Sequence, residues 1–125
     1  METMSTGPSH RASLVISEKP GSRNACIYAC NIEGFARNAQ KQTSSCRAVI
    51  SQTVYREVGC YSDGAGEDKA FNKMLEDIEQ KEIEMVFYWN DKCLEAVGGA
   101  RLAKRVIEDL GAECCCAEQF NEVNS

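Results

Sequence analysis

Histidine is almost missing from the chain: its one copy, His10, lies near the start and none follows. Everything downstream therefore lacks the commonest general base and the commonest nitrogen ligand for metals. Apolar runs are short as well, and none approaches the roughly 20 residues that a membrane-spanning helix needs. The opening residues show no basic region followed by an apolar segment, so no secretory signal is expected. No G-x-G-x-x-G or P-loop pattern occurs, because Gly64 and Gly66 stand without the rest of a phosphate-binding motif. Cations are in deficit: 14 Lys and Arg against 19 Asp and Glu give a net charge of -5. Binding to a phosphate backbone relies on Lys and Arg displacing counterions, so autonomous DNA binding is not expected. Arg101, Lys104 and Arg105 do form a local basic group, but Glu108 and Asp109 follow it directly.

The 125 residues are enough for one domain with one modest core, and 43% hydrophobic with 26% charged residues is ordinary for a globular chain. Cysteine is plentiful, with Cys26, Cys30, Cys46, Cys60, Cys93 and Cys114 to Cys116. These eight fall inside expected strands and helices rather than loops. They read as buried small hydrophobes in a reducing cytoplasm, not as a disulfide framework.

Residues 1–24 are Ser-, Gly- and Pro-containing and polar, broken only by Leu14, Val15 and Ile16, and are expected to be a flexible tail. A folded domain is expected over 25–120, with a polar end at 121–125. Ala25 to Cys30 is a near-continuous apolar run that suits a strand covered on both faces. Asn31 to Gly34 make a turn, and a helix is expected from about Phe35 to Gln52, with Ala39, Thr43, Cys46, Val49 and Ile50 on one face. Tyr55 to Tyr61 reads as a second strand, followed by the acidic, glycine-containing loop Ser62 to Glu67. The next helix has the clearest pattern, Phe71, Met74, Leu75 and Ile78 at i, i+3, i+4, i+7, with Asp68 as its expected N-cap. Met85 to Trp89 is a short apolar and aromatic strand that ends in Asn90 and Asp91. A helix is then expected from about Leu94 to Leu110, with Leu102, Val106 and Leu110 on its apolar stripe and Gly111 closing it. Ala112 to Ala117 is the fourth strand, and the residues from Gln119 on a polar end. This βαβαβαβ order implies an α/β fold: an open, mostly parallel sheet between two layers of helices, with right-handed crossovers. Chemistry in such sheets gathers where strands end and helices begin, which places Asn90, Asp91 and Lys92 at a candidate site.

Several strand ends carry a family pattern. Ile27-Tyr28-Ala29 is similar to an opening Tyr-Ala-Arg-Val-Ser strand, and Tyr61-Ser62-Asp63 with Ala65-Gly66 to an Asp-x-x-Ser-Gly loop. Asp68-Lys69 before an amphipathic helix is similar to an Asp-Arg segment. Trp89 to Leu94 stands where a Lys-Leu-Asp-Arg-Leu-Ser-Arg motif would be. Together, from about Ala25 to Ala117, these resemble the N-terminal catalytic domain of serine recombinases, the resolvase and invertase family. The resemblance implies a resolvase-like fold. It also implies DNA cutting by attack of a serine hydroxyl on a phosphodiester, with arginines clamping the phosphate through paired hydrogen bonds.

Residue by residue, the resemblance puts the nucleophile at Ile32 and the arginine two before it at Cys30. The Asp-Arg arginine becomes Lys69, the Leu-Asp-Arg arginine Lys92, and the last arginine of that motif Glu95. Only Asp63 and Asp91 match outright. No Ser or Thr occurs from Ala25 to Lys41, and Ser44 and Ser45 lie inside an expected helix, so the loss does not depend on register. Without a nucleophile, covalent strand transfer is not expected. A long helix after the fourth strand and a helix-turn-helix domain, both parts of the family pattern, do not follow within the sequence.

Three other constellations deserve weighing. Cys26 and Cys30 share a strand face but lack a second pair, and Cys114 to Cys116 alternate faces, so no metal is expected. Asp63, Asp91 and Glu95 could form a magnesium cluster, against the simpler role of Asp91 as cap of the helix near Cys93. A small-molecule or redox site could use Asn31, Asp63, Asp91 and Cys93, with Lys92 a weak activator of Cys93 and no histidine to act as base. The favoured expectation is a recombinase-like domain of a site-specific DNA recombination system, in a phage or mobile-element setting. It is expected to be inactive, to need no cofactor, and to work by protein contact through the exposed faces of its second and third helices. Its partner would be itself or an intact recombinase, with DNA contact weak or through that partner and no membrane contact. The alternatives are the small-molecule or redox site and DNA binding without cleavage.

Overall fold

A computed structural model describes residues 21–35 and 37–124. The early apolar run forms strand β1 (Arg23–Cys30), in which every residue from Ala25 on is buried. A strand covered on both faces needs neighbours in its sheet and layers above and below it. Helix α1 (Ala39–Ile50), strand β2 (Tyr55–Asp63), helix α2 (Lys69–Gln80) and strand β3 (Met85–Tyr88) follow. A 3₁₀ helix (Asp91–Val97), helix α3 (Ala100–Asp109), strand β4 (Glu113–Cys116) and helix α4 (Ala117–Asn124) complete the order. The four strands form one parallel sheet in the order β2-β1-β3-β4. The sheet has the expected α/β, resolvase-like form.

Strand alternation sorts the side chains into two cores. Cys26, Tyr28 and Cys30 face the α2 and α3 side, where they join Phe71, Met74, Ile78, Ala103 and Ile107. Tyr28 sits between Tyr61 of β2 and Tyr88 of β3 in register and packs edge-on against Phe71, with ring centroids 5.2 Å apart. Ala25, Ile27 and Phe87 face the other way, against Cys46, Val49 and Ile50 of α1 and Ala117 of α4.

Element boundaries depart from the sequence expectation where polar side chains decide them. β1 starts at Arg23, two residues early, tied by an Arg23 guanidinium to Glu84 contact of 2.7 Å. α1 starts at Ala39 rather than Phe35. The Asn38 side chain accepts from the Lys41 N–H at 2.9 Å, and that of Asn31 from the Ala39 N–H at 2.8 Å, which fixes the first turn. Its buried stripe contains Gln42, while Thr43 is only half-buried. β2 runs on to Asp63. Asp68 stands at the N-cap of α2 but makes no side-chain capping bond.

The expected single helix after β3 is two. Gly98 and Gly99 adopt φ of +102° and +95° and separate the 3₁₀ segment from α3. A side chain is strained at such a φ, and a Cβ on Gly98 would also push aside the exposed tip of Leu102, 2.7 Å away. With the helix restarted there, Ala103 and Ile107 turn inward and Leu102, expected in the core, is 53% exposed. Gly111 closes α3 as expected: its N–H bonds the Glu108 carbonyl and the Ala112 N–H that of Ile107, a Schellman closure. The expected polar end instead forms α4, anchored by fully buried Ala117 and by Phe120 against the second core.

All eight cysteines are free. Cys26, Cys30, Cys46 and Cys93 are buried as expected, but Cys60 is exposed and Cys114 to Cys116 are only half-buried on edge strand β4. The expected tail residues up to Pro20, with His10 and Leu14 to Ile16, lie outside the described residues.

Candidate functional site

β1 and β3 are sheet neighbours whose following segments leave toward opposite faces, a topological switch point at the carboxyl ends of the strands. A cleft of about 500 Å³ opens there. Cys30, Asn31 and Ile32 form one wall, Lys92, Glu95 and Ala96 another, and Glu33 and the Ala65–Gly66 loop complete it. Four of the seven positions singled out in the sequence, Cys30, Ile32, Lys92 and Glu95, therefore converge.

The other three do not. Asp63 is buried beside the cleft, and its carboxylate is fully engaged. One oxygen accepts from the Ala70 N–H at 2.7 Å, and the other from the Phe71 N–H at 3.0 Å and the Tyr28 hydroxyl at 2.8 Å. It thus caps α2 from the end of a strand, the role expected of Asp68. Lys69 is exposed on the first turn of α2, outside the cleft. Asp91 points into a separate groove beside α3, where it accepts from the Tyr88 hydroxyl at 3.1 Å and lies 3.6 Å from the Lys104 ammonium. The cap expected of Asp91 is supplied by Asn90, whose side chain accepts from the Lys92 N–H at 3.1 Å. Asp63, Asp91 and Glu95 thus lie in three different places and form no magnesium cluster. Among the described residues no three His, Cys, Asp or Glu side chains converge as a metal site would require.

The cleft is held from below by a side chain that periodicity could not single out. Gln42 is fully buried. Its amide oxygen accepts from the Cys30 N–H at 3.0 Å, and its amide nitrogen donates to the Cys30 carbonyl at 2.8 Å and the Arg37 carbonyl at 2.9 Å. These two hydrogen bonds to one residue continue the pairing of β1 on the side where β3 has ended and fix the backbone that carries Ile32. A polar residue on an apolar helix stripe was the only sequence signal for it.

Neither cysteine near the strand ends is set up as a nucleophile. Burial raises the Cys30 thiol, whose hydrogen faces the Asn31 and Gly64 carbonyls at 3.5 and 3.7 Å. Burial also pushes Cys93 up to about 11, with its thiol against the Gln42 amide oxygen at 3.3 Å. Both are thiols at neutral pH, and a thiol is a poor nucleophile. The grouping of Asn31, Asp63, Asp91 and Cys93 as a redox or ligand site is not assembled, since Asn31 is spent on the α1 cap and Cys93 is buried. Charge in the cleft comes from Glu33 and Glu95 against Lys92 alone, and no arginine or hydroxyl lines it.

No known family model matches the chain, and no curated protein matches it. Solved structures do. The C-terminal catalytic domain of ISC1926 TnpA, an IS607-like serine recombinase, superposes with a TM-score of 0.63 at 16% identity, over 80% of this chain and 77% of that one. A resolvase family site-specific recombinase from Streptococcus pneumoniae superposes with a TM-score of 0.62 at 20% identity, over 78% of this chain and 74% of the other. The fold is that of serine-recombinase catalytic domains. At these identities the likeness carries the scaffold, and the chemistry must be judged from the cleft.

Proposed function

We propose that this chain is a catalytically silent serine-recombinase-like domain that acts through protein contact in site-specific DNA recombination, in a phage or mobile-element setting. The observation that supports it is the strand-end cleft. Where the resemblance places a serine nucleophile and its clamping arginine, the cleft presents Ile32, which has no nucleophilic atom, and Cys30, a buried thiol. Glu33 and Glu95 would repel a phosphodiester, and Lys92 alone offers neither the paired hydrogen bonds of a guanidinium nor an excess of positive charge. The partner in this reading is the chain itself or an intact recombinase in a reducing cytoplasm. DNA contact is weak or made through that partner. No helix among the described residues is long and apolar enough to cross a membrane.

The test needs no knowledge of the DNA site. Cells expressing the chain are lysed in strong detergent, genomic DNA is purified, and covalently attached protein is detected with an antibody, with an intact serine recombinase as positive control. The expected result is an adduct for the control and none for this chain. A phosphoserine-linked adduct of this chain would overturn the silent reading.

A further inference from the structure

The charges of α3 run against the helix that carries them. A helix has a partly positive N-terminal end and a partly negative C-terminal end, so acids belong in its first turn and bases in its last. α3 has no acid in its first turn and no base in its last. Instead Arg101 stands exposed in its first turn and Arg105 at its middle, with Glu108 and Asp109 exposed in its last turn. No ion pair among the described residues engages any of the four. Arg101 and Arg105 are also four apart, where like charges repel. Among the four, only the Arg105–Glu108 and Arg105–Asp109 spacings offset this, and neither closes into an ion pair. The same face echoes it in α2, which opens on Lys69 and carries exposed Glu79 in its last turn, although Lys81 partly offsets this by pairing with Asp77 at 3.5 Å.

A face that is basic at one end and acidic at the other complements itself under a two-fold rotation. We infer that α3 is the contact between two copies of this chain, packed antiparallel, with Arg101 and Arg105 of each copy against Glu108 and Asp109 of the other. This rests on the reading of the domain as a protein-contact module and names its partner. Leu102, 53% exposed, lies beside the four charges and supplies the apolar centre. The groove of about 810 Å³ between α3, Gly98 and Asp91 gives room for the partner helix's ridge. Lys104 takes no part, since Asp91 and the Tyr88 ring already hold it. DNA fits the face less well, because the acidic half would meet the same phosphates as the basic half.

Sedimentation equilibrium of the full chain at 50 and 500 mM salt tests this. Wild type forms a dimer at low salt that weakens about tenfold or more at high salt, as exposed ion pairs are screened. The double reversals Arg101→Glu with Arg105→Glu, and Glu108→Arg with Asp109→Arg, are each monomeric. Mixing the two restores a heterodimer, because one face is then wholly acidic and the other wholly basic. A wild-type far-ultraviolet circular dichroism spectrum and a cooperative melt for each reversal at 500 mM salt show that loss of the dimer is not loss of fold. A wild type that stays monomeric up to 200 µM, reversals that dimerise like wild type, or a wild-type monomer that instead binds a short duplex through Arg101 and Arg105, overturns the inference. A monomer without a covalent DNA adduct would sink the interface and leave the silent-domain reading standing. A dimer that does form the adduct would do the reverse.

Discussion

Truncating Asp63 to alanine should cost more stability than the same truncation of any cleft residue. Its carboxylate joins β2 to the first turn of α2 through Ala70 and Phe71, and to β1 through the Tyr28 hydroxyl. In Asp63→Ala the Tyr28 hydroxyl, wholly buried, is left without its acceptor, at about 1–3 kcal/mol. Loss of the α2 cap adds about 1 kcal/mol, and loss of a negative charge at that N-terminus up to about 1 more. The sum is about 2–5 kcal/mol. With a urea slope of about 1.5 kcal/mol/M, the midpoint falls by about 1.5–3 M. A domain of ordinary stability stands close to unfolding under such a loss. Asp63→Asn, which keeps one acceptor but turns an NH2 toward a donor, should cost about 1–3 kcal/mol and give the cleaner curve. Urea unfolding followed by Trp89 fluorescence and by circular dichroism measures both. The decisive comparison is a cycle with Tyr28→Phe. Alone it should cost about 1 kcal/mol, but in the Asp63→Ala background it should recover about that much, because the orphaned hydroxyl is gone. An Asp63→Ala variant within 1 kcal/mol of wild type, or a cycle without that change of sign, would refute the assignment of Asp63 as the strand-borne cap.

Other expectations follow from single positions. Glu82 sits at φ +52° just past α2, where its N–H closes on the Glu79 carbonyl and that of Ile83 on Ile78. Glu82→Gly should stabilise by about 1 kcal/mol by removing the left-handed penalty, seen as a melting rise of about 4–8 °C; an unchanged or lower melt counts against it. Gln42→Leu leaves the Cys30 N–H and carbonyl unpaired in the core and should cost about 2–4 kcal/mol, and a loss below 1 kcal/mol would show the clamp to be idle. In native alkylation at pH 7.5 read by peptide mass spectrometry, exposed Cys60 should react first, while Cys93, buried and pushed up to about 11, lags far behind. Rapid labelling of Cys93 would revive the redox reading.

The fold was legible wherever apolar period alone decides. Ala25 to Cys30 announced a doubly covered strand, and Phe71, Met74 and Ile78 a helix face, because burial on a known side needs only spacing. Reading failed where a polar contact between distant residues decides. Asp63 caps a helix from seven and eight residues away, across a loop, while Asp68 holds the cap position without bonding. Gln42 looked like a gap in the α1 stripe because its partner, Cys30, lies on another element. The Gly98–Gly99 pair overrides the Leu102, Val106, Leu110 spacing and breaks the helix, which leaves Leu102 exposed. Helix α4 shows little more than Ala117 and Phe120 as an apolar pair, too short a stripe to separate from a polar end.

The positions that match the serine-recombinase pattern and those that depart from it divide by what the fold asks of them. Asp63 and Asp91 match, and each has a structural partner: the α2 N-terminus and Tyr28 for one, Tyr88 and Lys104 for the other. Of the five that depart, Cys30, Ile32, Lys92 and Glu95 line the cleft, where side-chain identity serves chemistry more than folding, and Lys69 is exposed outside it. Cys30 also has a structural role, because its side chain is 2% exposed in the core above Gln42. Installing the residues of the resemblance should therefore fail one residue at a time. Ile32→Ser leaves the fold intact, since Ile32 is only half-buried, yet supplies a hydroxyl with no guanidinium beside it. Cys30→Arg places an unpaired charge in the core and should cost several kcal/mol, enough to abolish folding in a marginal domain. A folded, cleaving protein from Ile32→Ser alone, detected by the covalent-adduct assay, would show that the cleft supports strand cleavage without a guanidinium beside the hydroxyl.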